Sequence, residues 1–374
     1  MKNKLILICC INSESYGGLT YWVNFIKSIE KSSKNIKIDF KYIVNEDSKI
    51  SKLINIKDKI VVKKIIYKSF YFRFIYEQFY IPLYLFKNHK ADFFFNGKNI
   101  APIFILNKSI IAIRNIEPFF YYKINFSLRK FKSFLRFILS IISIKYCHTI
   151  ISVSKNTTKI IKKHSKKKIY LIPNGVSVKK KYQNNWKINK SKNFLLNSSK
   201  FIPYANQFRL LQIYKNALKK NSGIPPLYFA GGVVDKPYYK KILRFVKDNK
   251  LNKNIKFLGY ISKNKLHSLM VKCKLFLFSS ELESCPQTVL EAQLIGCPIL
   301  SSKIQPMPEF LKNSAFYFNI YNKESSTKKL NHIINLSKQK ILYLKKKKRP
   351  NENKYLWSKV ILTYLNIFKK ICAL

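Results

Sequence analysis

Carboxylates are scarce in this chain. Seventeen aspartates and glutamates stand against 72 lysines and arginines, a formal charge of +55 over 374 residues. Glycine (9) and histidine (5) are also few. No G-x-G-x-x-G run follows a strand, so the dinucleotide fingerprint of a nicotinamide enzyme is not favoured. No D-x-D pair occurs, so no metal is called for and no cofactor is expected. The seven cysteines (Cys9, Cys10, Cys147, Cys273, Cys285, Cys297, Cys372) form no C-x-x-C pair and show no Cys/His metal spacing. Their number is odd and several sit in apolar runs, as small buried residues of a reducing compartment do. No stretch reaches the roughly 20 apolar residues of a membrane span. The apolar start, Leu5 to Ile11, is short and has no small-residue cleavage site. It therefore reads as a first buried strand and not as a signal peptide.

What is present is an alternation of short apolar runs with helical patterns, on a chain 47% hydrophobic and long enough for two domains. Strands are expected at Lys4–Cys10, 36–44, 59–66, 91–96, 110–113, 149–153 and 169–172, then at 194–197, 226–230, 255–259, 275–278 and 297–300. Helices between them make each half a doubly wound sheet. Phe70 to Phe86 is read as helical, broken or kinked near Pro82. The positive charge has two readings: a polyanionic partner, or an AT-rich genome that enriches Lys, Asn, Ile, Phe and Tyr together. The even spread of lysines favours the second. Phe119 to Tyr146 interleaves Lys123, Arg129, Lys130, Lys132 and Arg136 with Phe, Leu and Ile. It suits a basic amphipathic helix on an anionic membrane surface, or an ordinary helix with a wet basic face.

The stretch Leu275 to Phe310 organises the rest. Leu275 to Phe278 reads as a buried strand, Ser284 as an N-cap, and Cys285 to Ile295 as a helix with Pro286 in its first turn. Gly296 stops the helix and Cys297 to Leu300 is the next strand. Glu283 lies just before the helix and Glu291 about two turns inside, roughly 12 Å along the axis. A helix N-terminus between two carboxylates can hold a diphosphate on its N–H groups. Four of the chain's few carboxylates, Glu281, Glu283, Glu291 and Glu309, fall here.

These residues resemble the donor-site signature of retaining glycosyltransferase family 4, a GT-B family. The matching features are Phe278-Ser279-Ser280, Glu283, Glu291-Ala292, Gly296-Cys297-Pro298 and Pro308-Glu309. Gly17-Gly18 after the first strand and Ile172-Pro173-Asn174-Gly175-Val176 are similar to the same family. The resemblance implies two Rossmann-like α/β domains facing a cleft. These are an acceptor-side domain over 1–176, a linker over 177–193 and a nucleotide-sugar domain over 194–344. A tail over 345–374 would end in a helix packing back on the first domain through Trp357, Val360, Ile361, Tyr364, Leu365 and Phe368.

The resemblance also implies roles. Glu291 would hold the ribose hydroxyls and Glu283 would face the transferred sugar. Backbone N–H groups of the Ser284-Cys285-Pro286-Gln287-Thr288 turn would meet sugar and phosphate oxygens. Gly17 and Gly18 would approach the donor. The family places an arginine, and five residues on a lysine, after the first strand of the second domain; here Lys200 and Ala205 stand there, with Arg209 as a substitute contact. Where the family often has a sugar-facing histidine, Arg114 and Asn115 stand instead. The expected reaction is retaining transfer of a hexose-type sugar from a UDP- or GDP-sugar to a glycan or lipid-linked acceptor. The expected place is the cytoplasm, peripheral on the inner face of the membrane. The other readings are an inactive sugar-nucleotide-binding homologue, motivated by Ala205, and a basic nucleic-acid-binding protein.

Overall fold

The computed structural model describes residues 3–11, 16–33, 36–55, 58–63, 70–87, 91–123, 128–184, 193–336 and 352–373. They divide into two compact units, Met1–Gly175 with Tyr355–Leu374, and Val176–Lys354. The basic run Lys345 to Arg349, residues 185–192 of the expected linker and residues 12–15 of the first loop lie outside the described residues.

The first unit holds seven parallel strands: β1 (Lys4–Cys9), β2 (Ile38–Asn45), β3 (Lys59–Val62), β4 (Phe93–Asn96), β5 (Ser109–Ile113), β6 (Thr149–Ser152) and β7 (Ile169–Leu171). Their order across the sheet is β3-β2-β1-β4-β5-β6-β7. The central strands are continuous apolar runs because helices cover both faces. Ile110, Ile111, Ala112 and Ile113 of β5 are all fully buried. Helix Tyr16–Ser32 presents Tyr21, Trp22 and Phe25 to this core, where they meet helix Trp357–Cys372. Trp357, Val360, Ile361, Tyr364, Leu365 and Phe368 are all buried in the same cluster. The Tyr21 and Tyr364 hydroxyls are 3.0 Å apart. A Cβ at Gly175 would lie 2.3 Å from the Trp357 ring, so glycine is needed for that ring to seat.

The second unit holds six parallel strands: β8 (Leu195–Ser198), β9 (Leu227–Ala230), β10 (Ile255–Phe257), β11 (Leu275–Phe278), β12 (Ile299–Ser302) and β13 (Phe316–Phe318). Their order is β10-β9-β8-β11-β12-β13. In both units the chain starts mid-sheet, winds to one edge, then crosses back beside its first strand. That places a topological switch point between β1 and β4, and another between β8 and β11. Helix starts follow side-chain caps where these exist. Ser154, Asp235, Ser262 and Asn322 each accept from a backbone N–H three residues on.

Several expectations need correction. Helix Gln287–Ile295 begins two residues late, with Pro286 and not Ser284 at its N-cap. Proline disfavours helical backbone at the residue before it, so Cys285 cannot join the helix. The Cys285 carbonyl instead accepts from Gln287 N, 3.0 Å away, in a tight turn. The expected break near Pro82, by contrast, is present in Phe70 to Phe86. A π-helical stretch, Tyr76–Tyr80, joins helices Phe70–Ile75 and Ile81–Lys87, the kind of defect that accommodates a missing N–H. Phe119 to Tyr146 is not one helix, because 3₁₀ turns over Glu117–Lys123 precede helix Leu128–Tyr146. The described part of the third strand is Lys59–Val62, and residues 64–66 of the expected strand lie outside the described residues.

Candidate active site

The β8/β11 switch point is built by two loops that clasp each other. Asn197, at the end of β8, donates its side-chain amide to the Leu277 carbonyl of β11 at 2.9 Å. After β8 the chain runs Ser199-Lys200 and reaches Ala205. After β11 it runs Ser279 to Pro286. Ser279 Oγ donates to the Ala205 carbonyl (2.7 Å), Glu281 N donates to the Tyr204 carbonyl (2.9 Å), and Ser302 Oγ of β12 donates to the Ser280 carbonyl (2.6 Å). Fully buried Gln207 donates to Ser199 Oγ at 2.8 Å and to the Lys200 carbonyl at 2.7 Å. Gly231 completes the support: a Cβ there would fall 1.8 Å from the Ser199 carbonyl oxygen.

On this frame sit two carboxylates in opposite electrostatic states. Glu283 is half-buried in the β11 loop. Burial pushes its carboxyl up to about 7, while the Ser280 hydroxyl and the charge of Lys200 act the other way. Lys200 and Glu283, expected separately at phosphate and sugar, both lie on the loops of this switch point. Glu291 is 2% exposed and lies one turn inside helix Gln287–Ile295, not two. Burial alone would raise its carboxyl too. The Lys263 ammonium, 2.6 Å and 2.7 Å from its two oxygens, and His267 beside it outweigh that and hold the carboxyl below its ordinary value. His267 Nε2 lies 3.3 Å from Oε2.

The remaining expected residues are placed as follows. Arg209, exposed at the start of helix Gln207–Lys220, lies 4.6 Å over the ring of Tyr321, whose hydroxyl donates to Glu281 at 2.7 Å. Ala205 is buried and contributes a carbonyl, not a charge. Ser284, Cys285 and Pro286 are buried in the turn, and Gln287 and Thr288 open the helix.

Arg114, Asn115, Gly17 and Gly18 belong to the first unit. Gly17 and Gly18 form the first turn of helix Tyr16–Ser32. Arg114 lies 3.2 Å over the Tyr21 ring and donates from Nε to Asn174 Oδ1 at 3.1 Å. Asn99 Oδ1 receives the backbone N–H of both Arg114 and Asn115, each at 3.3 Å. Sequence reasoning missed Lys263, His267, Gln207 and Tyr321. Lys263 carried one usable signal, its place just after the Ser262 cap.

Residues 178–357 match the family Glycosyl transferases group 1. A capsular polysaccharide biosynthesis glycosyltransferase, CapH of Staphylococcus aureus, is 31% identical over 201 residues, 52% of this chain and 54% of that protein. The chain thus matches about half the length of that curated relative. Among solved structures, Anabaena Alr3699/HepE in complex with UDP and glucose superposes with a TM-score of 0.71 at 14% identity, covering 100% of both chains. Sucrose-phosphate synthase (tll1590) of Thermosynechococcus elongatus gives 0.76 at 11% identity, covering 99% of this chain and 100% of its own. These two likenesses speak for the fold, which is that of the GT-B glycosyltransferases. Loops, caps and carboxylates of the β8/β11 switch point all fall within the matched residues, and residues 178–357 carry a glycosyl transferases group 1 domain.

Proposed function

We propose that this protein is a retaining glycosyltransferase of family 4. It moves a hexose-type sugar from a nucleotide-diphosphate sugar to a capsular-type or lipid-linked glycan. The observation that carries the reading is the interlocked β8 and β11 loops of the switch point, which set Glu283 on the β11 loop and a Glu291 carboxylate held by Lys263 on the following helix. Ligands of doubly wound sheets bind at such a point.

In this reading Lys200 meets the diphosphate as a point charge, with Arg209 at the rim, and the start of helix Gln287–Ile295 adds its dipole. No resident metal is assigned. Lys263 and His267 hold the Glu291 carboxylate in place, and the reading assigns its oxygens to the ribose hydroxyls. Glu283 faces the sugar. Ionised, it stabilises positive charge growing at the glycosyl carbon, while Lys200 stabilises the departing diphosphate. The HepE complexes with UDP and the CapH similarity favour a UDP-sugar and a capsular acceptor. The work is placed in the cytoplasm, at the inner face of the membrane.

The test is thermal stability of the protein with a panel of UDP- and GDP-sugars, alongside Lys200→Ala and Glu291→Ala. A ligand at 100 times its Kd stabilises by about 2.7 kcal/mol. A shift with one nucleotide class, reduced in both variants, supports the reading and names the base. Binding without transfer to any glycan acceptor would identify an inactive binder. No shift with any nucleotide sugar, and tight low-salt binding to DNA or RNA, would overturn the enzyme in favour of a nucleic-acid-binding protein.

A further inference from the structure

Helix Leu128–Tyr146 is built inside out. Its inward positions include serines: Ser133, Ser140 and Ser143 are 3%, 0% and 1% exposed. Its outward positions carry Phe131, Phe134, Leu135 and Ile138, which are 59%, 36%, 42% and 38% exposed. Those four follow the spacing of three and four that makes one helical stripe. In a surface helix that faces only water, such a stripe turns to the core. On the core side Ser143 Oγ accepts from Ala101 N at 3.1 Å and Ser140 Oγ donates to the Arg136 carbonyl at 2.6 Å, while Ser133 Oγ is buried without a hydrogen-bond partner.

The stripe is not isolated. The 3₁₀ segment Ile103–Lys108 touches this helix and also the π-helical stretch Tyr76–Tyr80. Its exposed Phe104 ring lies 5.7 Å from Phe79. Phe79 belongs to a second outward stripe with Phe72, Ile75, Leu83 and Phe86, each about half exposed or more. Three neighbouring elements of one unit therefore each turn large apolar side chains outward. Exposed apolar side chains in such number mark an interaction surface.

Charge selects the occupant. Segments 70–87, 103–108 and 128–146 hold one carboxylate, Glu77, and it is half-buried and paired to Lys98 at 3.3 Å. Lys130, Lys132 and Arg136 flank the exposed stripe of the helix. A second copy of a chain of charge +55 would set cation against cation. We infer that this face lies on a lipid bilayer bearing anionic headgroups, with both stripes inserted at the headgroup–acyl boundary and the basic residues at headgroup level. This deepens the membrane placement proposed above, yet it needs no sugar nucleotide and no turnover, so it stands or fails separately from the enzymatic reading.

The test is flotation of the full-length protein with vesicles of phosphatidylcholine alone and of equal parts phosphatidylcholine and phosphatidylglycerol, without donor. Binding is expected to the anionic vesicles only. Phe131→Ser/Phe134→Ser/Leu135→Ser should weaken it by about tenfold or more. Lys130→Gln/Lys132→Gln/Arg136→Gln should weaken it by about a hundredfold. Because all six side chains are at the surface or its edge, melting temperature and the nucleotide-sugar shift should stay as in the parent, which separates lost binding from lost folding. Anionic-vesicle binding unchanged in the serine variant would overturn the inference, since net charge alone would then explain it. So would a parent protein that ignores both vesicles but is dimeric in solution and becomes monomeric in the serine variant.

Discussion

The two switch points of this molecule share a topology and spend their polar residues differently. At the carboxyl ends of the first unit's strands, side chains mostly answer one another. Arg114 lies on Tyr21 and reaches Asn174, Asn99 binds the backbone of Arg114 and Asn115, and Asn96 donates to the Ile100 carbonyl. At the β8/β11 switch point the neutral residues do the clasping, and the charges are held above it in perturbed states. A shared topology therefore does not fix what a switch point carries. What sets the β8/β11 switch point apart is a buried carboxylate held by a lysine on a rigid neutral frame.

The largest effect should come from Glu291, the most buried charge of that site. Glu291→Ala removes a buried, paired carboxylate and leaves the partly exposed Lys263 without its partner. A stability loss of about 3 kcal/mol is expected, seen as a lowered urea midpoint. A Lys263→Met/Glu291→Met double variant should recover much of it, because removing both partners removes the uncompensated charge. Equal losses in the single and double variants would show that Lys263 is not the partner that matters. In the parent the contribution is present at neutral pH. It should be lost as pH falls below the ordinary carboxylate range, because the folded-state value is the lower one.

Glu283 carries the opposite sign. Its folded-state value of about 7 lies above that of an unfolded chain, so between about pH 4 and 7 the folded state holds the extra proton. Stability should therefore fall as pH rises through that window. Glu283→Gln should be more stable than the parent at pH 8, by about 2 kcal/mol, with the gap closing near pH 4. In the proposed role, sugar transfer by the same variant should drop by about a hundredfold or more, because that role needs a negative charge facing the reacting centre. The parent's rate should rise with pH through about 7 as the carboxylate ionises. A flat pH profile, or full activity in the variant, would remove Glu283 from the chemistry.

Most of the fold was legible because its signals are local. Buried parallel strands such as Leu275–Phe278 are short apolar runs, and Gly296, with φ of 80°, ends its helix where glycine was read as the stop. The Pro286 effect was also local but was weighed wrongly, as first-turn tolerance instead of restriction on Cys285. Lys263 and His267 were not legible in the same way. They approach Glu291 from another helix, 28 and 24 residues earlier, through packing that no spacing encodes. Ala205 shows the limit from the other side. Its lack of charge was plain, but its carbonyl's hold on Ser279 belongs to tertiary structure.

The smallest effects should grade the cations. Lys200 sits close enough to act on Glu283, whereas Arg209 is exposed and stacked on Tyr321. Lys200→Ala should weaken nucleotide-sugar binding by about tenfold, as loss of one charge-assisted contact does. Arg209→Ala should weaken it by about threefold, the scale of an exposed charge in salt. Arg114→Ala, in the other unit, should leave donor affinity unchanged in calorimetric titration. It should cost about 1 kcal/mol of stability through the lost contact with Tyr21. An Arg114 variant that loses affinity as Lys200→Ala does would erase the contrast between the switch points, since the first unit's charge would then also be spent on the donor.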